Sequence, residues 1–367
     1  MGGVHFDPSL RDHELDLVSL ISYSINSKLR IFYAGYLYKR LIKMTKKAIL
    51  VARAVFPEVL ERLAEHFRVE SNQADVIWPR EEFIRRLQGK SGVFTTGGER
   101  IDAALLAACP DLKICANMAV GYNNFDVPAM TAAGVMATNA PDVLTETTAD
   151  LGFTLLMATA RRVSESEAYL RAGQWNKWSY DMFCGTDIHA STLGILGMGR
   201  IGRAIAKRGA HGFGMNVIYH NRSRLAPELE QEVNATYVSK QELFKQADHI
   251  VLVLPYSLDN HHTVGATEIA LMKPTATLIN IGRGGLIDES ALAAALSTNK
   301  ILGAGLDVFE GEPAVNPALT ALKNVVLTPH IGSASVPTRQ AMANLAADNL
   351  IGYLMQGHAK TPLNTLS

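Results

Sequence analysis

Long apolar runs are missing from this sequence. No stretch approaches the roughly 20 apolar residues that cross a bilayer, and the first residues lack the basic, apolar, small-residue order of an export signal. Neither membrane insertion nor secretion is expected. Cysteine is scarce too: Cys109, Cys115 and Cys184 are the only three, without C-x-x-C spacing. An odd, scattered set argues against a disulfide framework and against a zinc site, so no metal is expected and a reducing cytoplasm fits best. Neither charge dominates, because 35 Lys and Arg balance 35 Asp and Glu. Without a basic field, nucleic acid and anionic lipid are not expected partners, and any anion binding must be local. Internal repeats and low-complexity segments are absent as well.

What is there is a hydrophobic fraction of 48% over 367 residues, enough for a large core and, at this length, about two domains. Residues 1–43 stand apart, because YSINSKLRIFYAGYLYKRLIK is basic and aromatic while HFDPSLRDHELD before it is mixed and shows no clear period. The segment reads as an extension outside the fold, with an amphipathic docking segment as the alternative. From Met44 a regular pattern begins, with KKAILVA as a buried strand and PEVLERLAEHF as the helix packing back on it. Apolar runs then alternate with helical patterns: SGVFTT, DLKICANM, GVMATNA, a long helix through TADLGFTLLMATARR, and STLGILG. The second half continues with NVIYH, HIVLVL, ATLINI, ILGAGLDV and NVVLTPH. This is the rhythm of an α/β protein with doubly wound parallel sheets, whose strand ends build the sites.

The sharpest local signal is TLGILGMGRIGRAIAKR. Gly197, Gly199 and Gly202 form G-x-G-x-x-G between a strand and a helix, where they allow a tight turn, close approach of a pyrophosphate and close helix packing. Arg200 and Ile201 open that helix, whose unpaired N–H groups and positive dipole end face the phosphates. About 20 residues further on, a carboxylate ordinarily meets the ribose hydroxyls. Here VIYHNRSR offers His220, followed by Asn221, Arg222, Ser223 and Arg224. With no negative charge to repel a 2′-phosphate, Arg222, seconded by Arg224, can supply charged donors, and Asn221 and Ser223 neutral ones. NADPH is therefore expected, with NADH weaker; a solvated basic turn is the alternative.

Three further strand ends carry reactive side chains. Arg283 in NIGRGG has a forked, permanently charged guanidinium suited to a carboxylate. His330 in TPHIG titrates near neutrality and can deliver a proton, and Glu312 in GEP would orient and charge it. Alone, each has a plainer reading: a surface arginine, a structural histidine, a solvated glutamate. Together they offer a fixed cation for an anionic group and an acid–base pair for proton transfer.

In this order NMAVGYNNFDV, TNAPDVLTETTADLGFTLL, GILGMGRIG, NIGRGGLIDESAL, GAGLDVFEGEP and TPHIGSAS resemble the D-isomer-specific 2-hydroxyacid dehydrogenases. The likeness runs from about Lys46 to Pro362 and looks strongest to the glyoxylate and hydroxypyruvate reductases and bacterial 2-ketogluconate reductases. It implies two Rossmann-like domains, with an NAD(P)-binding domain at 143–332 inserted into a substrate domain made of 44–142 and 333–367. It also implies NADPH-dependent reduction of small 2-keto acids in the cleft between them. By the same resemblance Arg283, Glu312 and His330 are the catalytic trio, and the backbone of Val120 and Gly121 receives the substrate carboxylate. Thr96 and Gly97 belong to a substrate loop, and Asp307 faces the nicotinamide amide. Trp178 in AGQWNKW would reach a partner's active site, which implies a homodimer; ordinary packing is the alternative for Trp175 and Trp178. A cofactor-sensing, corepressor-like binding protein could use the same fold, but the intact trio favours an enzyme. NAD-dependent phosphoglycerate dehydrogenase would require an acid at the ribose position.

Overall fold

The computed structural model describes residues 46–366, so the readings of segment 1–43 and of the restart at Met44 lie outside the described residues. Two parallel sheets organise the chain. The first takes β1 (Ala48–Val51), β2 (Arg68–Ser71), β3 (Gly92–Thr95), β4 (Ile114–Asn117) and β5 (Met136–Thr138) in the order β2-β1-β3-β4-β5. The second takes β6 (Thr192–Leu196), β7 (Asn216–His220), β8 (Ala235–Tyr237), β9 (His249–Leu252), β10 (Thr277–Asn280), β11 (Gly303–Leu306) and β12 (Val325–Leu327). Its order is β12-β11-β10-β9-β6-β7-β8. Interior strands such as AILV, GVFT, ICAN, HIVL and TLIN are buried at every position, as expected where helices cover both faces of a parallel sheet.

Each sheet separates two apolar clusters. Ile49, Phe94 and Leu350 lie on one side of the first sheet, and Leu50, Val93 and Leu105 on the other. The second has Leu196, Phe244 and Leu278 on one face, with Leu156, Ile195 and Tyr219 on the other. Burying one such leucine is worth about 1.5–3 kcal/mol, so the four clusters, rather than helix propensity, fix the layers. The helix Thr145–Ala160 packs against β10 and β11 and against the helix Arg200–Lys207. Later the helix Val336–Gln356, capped by Ser335, returns to β3, β4 and the helix Pro57–His66. Leu363 then donates its N–H to Ala137 O at 2.7 Å, closing the chain on β5. No described helix is long and apolar enough to cross a membrane.

In both sheets the strand order reverses beside the first strand, between β1 and β3 and between β6 and β9. Loops leaving the carboxyl ends diverge there and open a crevice. The glycine turn after β6 sits at the second such point, where a Cβ on Gly197 would lie 2.8 Å from Val253 C beyond β9.

One buried group in the second sheet makes stability depend on pH. His249 is fully buried; its Nε2–H donates to Asp187 O at 3.1 Å, which leaves Nδ1 to accept from the Thr277 hydroxyl at 2.9 Å. Burial holds its basicity below the ordinary histidine range. The unfolded chain therefore binds more protons here than the native one, so stability is complete above about pH 6.5 and falls on acidification. Denaturant midpoints should drop between neutral and mildly acidic pH, and by less in His249→Gln. An equal drop in the two proteins would remove His249 as the source.

Candidate active site

A cleft of about 530 Å³ runs between the loops that leave the two sheets, and Thr96, Gly97, Gly121, Arg283, Glu312 and His330 all line it. Asn280 builds the Arg283 side. This almost fully buried side chain at the end of β10 accepts from Gly282 N–H at 3.0 Å and donates to Arg283 O at 2.9 Å, fixing the turn. A Cβ on Gly284 would fall 1.8 Å from Phe309 C, so only glycine fits after the arginine. The guanidinium donates from Nη1 to Gly282 O at 2.7 Å. Its far end presses on the first sheet's loop, where a Cβ on Gly121 would lie 1.7 Å from Nη2. Burial pulls Arg283 below the ordinary arginine range, with the charge of Glu312 opposing. It stays a cation, because guanidinium does not deprotonate in proteins.

His330 ends the segment after β12 with φ +52°, a left-handed conformation uncommon for a side chain larger than glycine. Asp307 holds that turn in place. Its carboxylate, 1% exposed, accepts from the Thr328 hydroxyl at 2.7 Å and from the N–H groups of Ile331 and Gly332 at 2.8 Å each. His330 N–H donates to Asp307 O at 2.9 Å. The residue expected at the nicotinamide amide thus spends its carboxylate on the loop that presents the histidine. Glu312 closes the pair: Oε2 lies 2.7 Å from His330 Nδ1, and Oε1 accepts from Phe309 N–H at 2.9 Å. Burial pushes this carboxyl up, but the bonds from His330 and Phe309 outweigh it and hold it below the usual carboxylate range. Glu312 is therefore an anion at neutral pH, and Nε2 is the ring nitrogen left to face a ligand.

Opposite them, Asn117 at the end of β4 donates to Gly121 O at 3.0 Å, and Asn139 donates to Val120 O at 2.7 Å. The two carbonyls point into the protein and leave the loop's outer face to the cleft. Gly97 takes φ +114°, and Thr96 N–H donates to Glu99 Oε2 at 2.8 Å, which shapes the neighbouring loop. Asn123 bridges the two sides of the cleft by donating to Tyr256 O at 2.8 Å. Trp178 is not brought to this cleft by its own chain; it is 75% exposed. Asn280, Asn123, Tyr256 and the holding role of Asp307 were not read from the sequence, since asparagine and aspartate at strand ends also mark ordinary turns.

A dinucleotide fits the glycine turn. Gly197 has φ +107°, nothing lies within 4 Å of a Cβ placed on Gly199, and a Cβ on Gly202 would meet Gly197 O at 2.3 Å. No side chain caps the helix that opens at Arg200, which leaves its first N–H groups for a phosphate. The Arg200 side chain forms an exposed pair with Asp142 at 2.7 Å, and Ile201 packs into the cores on both sides, so Ile201 offers backbone only. Beyond β7 one expectation needs correction, that of Arg224. Arg224 is not available to a phosphate, because it forms a two-pronged pair with Glu230 at 2.8 Å per contact. Arg224, with the buried Tyr219 hydroxyl at 2.6 Å, lowers the Glu230 carboxyl to about 2. Asn221 Oδ1 accepts from Met198 N–H at 2.7 Å and so braces the glycine turn. His220 Nδ1 lies 2.9 Å from Val238 O, and its ring stacks on Tyr237. Arg222 and Ser223 stay exposed at the loop tip.

A dinucleotide turn beside a cleft that holds an arginine and a carboxylate-backed histidine is the equipment of an oxidoreductase. Residues 153–332 match the family model described as D-isomer specific 2-hydroxyacid dehydrogenase, NAD binding domain. Over 312 residues the chain is 45% identical to a glyoxylate reductase of Thermococcus gammatolerans, covering 84% of this chain and 93% of that one. It is 42% identical over 323 residues to glyoxylate/hydroxypyruvate reductase B of Klebsiella pneumoniae, covering 87% and 98%. The solved NADPH-dependent glyoxylate/hydroxypyruvate reductase of Sinorhizobium meliloti, in complex with NADP and malonate, superposes with TM-score 0.76 at 36% identity, covering 87% and 97%. The chain belongs to the D-isomer specific 2-hydroxyacid dehydrogenase family.

Proposed function

We propose that the protein reduces small 2-keto acids, glyoxylate and hydroxypyruvate foremost, to D-2-hydroxy acids with NADPH. The observation that carries the reading is the sharing of one cleft by the Arg283 guanidinium and the His330–Glu312 pair. Arg283 would bind the substrate carboxylate and polarise the carbonyl, with the backbone of Val120 and Gly121 completing the anion site. Thr96 and Gly97 would close its far wall. NADPH, held at the turn of Gly197, Gly199 and Gly202, supplies a hydride when bound. His330 donates its Nε2 proton to the oxygen that becomes the hydroxyl, while Glu312 steadies the imidazolium. Asp307 and Asn280 act through His330 and Arg283 as positioning residues. A cleft of about 530 Å³ exceeds what a two-carbon acid fills, so 2-ketogluconate belongs to the substrate panel.

Steady-state kcat/KM with glyoxylate, hydroxypyruvate and 2-ketogluconate, each with NADPH and NADH, tests the reading. Lack of turnover of all three by the intact chain would refute it. A cytoplasmic homodimer is part of the proposal. Leu170, Trp175, Trp178 and Tyr180 fall within the short segment 170–180 and are each 55% or more exposed, and exposed apolar side chains gathered on one surface mark association sites. In this arrangement Trp178 would lie over the partner's cleft. Sedimentation should give a dimer that Leu170→Asp with Trp175→Asp converts to a monomer; a monomeric unmodified protein would exclude it.

A further inference from the structure

On the rim of the cleft, His261, His262 and Glu310 bring three donor groups within 4.8 Å of one another, the one such group among the described residues. We propose that they form a divalent-cation site that takes a borderline ion such as Zn²⁺. The argument begins with the carboxylate of Glu310, which spans both rings: Oε2 lies 2.8 Å from His262 Nε2, and Oε1 lies 3.8 Å from His261 Nε2. In a tetrahedral site with bonds near 2.0–2.1 Å, ligand atoms sit about 3.4 Å apart, so these separations bracket the need.

Each ligand is held from behind. Tyr256 OH lies 3.1 Å from His261 Nδ1. If the phenol oxygen accepts from Nδ1–H, the Nε2 lone pair faces Glu310, the outer-shell arrangement that orients metal-bound histidines. His262 takes φ +50°, and its N–H donates to Gly285 O at 2.8 Å, which turns its ring toward the same carboxylate. A Cβ on Gly285 would come within 2.8 Å of Tyr256 and 3.4 Å of His261 Nδ1, so glycine there makes room for the tyrosine and histidine. Glu310 N–H donates to the buried Glu289 at 2.8 Å, fixing the third ligand.

The imidazole rings stack with centroids 3.7 Å apart. Two imidazole nitrogens and a carboxylate oxygen are the donor set of zinc and its neighbours, and water can fill the remaining positions on this exposed rim. The scattered cysteines argue against a thiolate site and say nothing about imidazoles. Glu310 and Tyr256 also line the cleft, so an ion here borders the substrate's path.

The test is calorimetric titration of Zn²⁺ alone into tag-free, full-length protein, with thermal melts to check each variant's fold. The wild type should take up zinc with saturable, stoichiometric binding that Cys184→Ser leaves intact. His262→Ala and Glu310→Gln should each weaken binding by at least about tenfold, and Tyr256→Phe by roughly tenfold through the outer shell. No saturable uptake by the wild type, or unchanged affinity in folded His262→Ala and Glu310→Gln, overturns the site.

Discussion

Replacing His330 by alanine is expected to slow the reduction of glyoxylate by roughly 100-fold or more, the loss typical of a positioned general acid. The cause lies in which nitrogen is free: Nδ1 is engaged with Glu312 at 2.7 Å, so Nε2 alone can reach the developing alkoxide. On the proposed mechanism only the imidazolium can protonate the alkoxide, so reduction should weaken as pH rises. Glu312, held below the usual carboxylate range, is an anion throughout that window and lies 2.7 Å from Nδ1. Glu312→Gln keeps the side chain's shape but removes the charge, so the alkaline limb of kcat/KM for reduction should move to lower pH. The reverse oxidation needs the neutral ring, and its acidic limb should move the same way. A purely structural role for Glu312 would lower both rates without moving either limb. Near wild-type turnover by His330→Ala would end the assignment.

The interior of both sheets was legible in the sequence because its strands are continuous apolar runs, which only sheets covered on both faces require. Two strands were missed, β2 (RVES) and β8 (ATY), and both are edges with exposed or half-exposed positions. These two bury too little to leave a hydrophobic signature, whereas the edge strand β5 is buried at every position and was legible. In the site, Arg283, Glu312 and His330 were readable because strand ends and glycines frame them. Their supports were not: Asn280 and Asp307 make their contacts through buried turns whose geometry no spacing rule gives. The pairing of Arg224 with Glu230 was hidden for the opposite reason, since an arginine six residues before a glutamate looks like any solvated pair. Only the fold reveals that the partner is the largely buried Glu230, fixed by Tyr219. Trp178, exposed in its own chain, acquires a role only if a second copy covers it.

The loop after β7 carries the other large expected effect, the loss of NADPH preference in Arg222→Ala. Arg224 is spent on Glu230, His220 is fastened to Val238 O, and Asn221 Oδ1 braces the glycine turn. Those three contacts shape the loop and leave Arg222 as its exposed cation, without a carboxylate partner among the described residues, beside a position where no carboxylate repels a 2′-phosphate. A hydrogen bond to a charged group contributes on the order of 1.5–3 kcal/mol, so losing Arg222 should cost roughly 10-fold to 150-fold in kcat/KM with NADPH. With NADH, which lacks the phosphate, little should change. Arg224→Ala should differ in kind: it removes the brace rather than the contact, leaves the largely buried Glu230 without its cation and should lower thermal stability as well. His220→Asp combined with Arg222→Ala should go furthest, because it adds an acceptor for the ribose hydroxyls while removing the donor for the phosphate. Under that double change NADH should become the better cofactor. If the unmodified protein already turns over NADH with the higher kcat/KM, Arg222 does not read the phosphate.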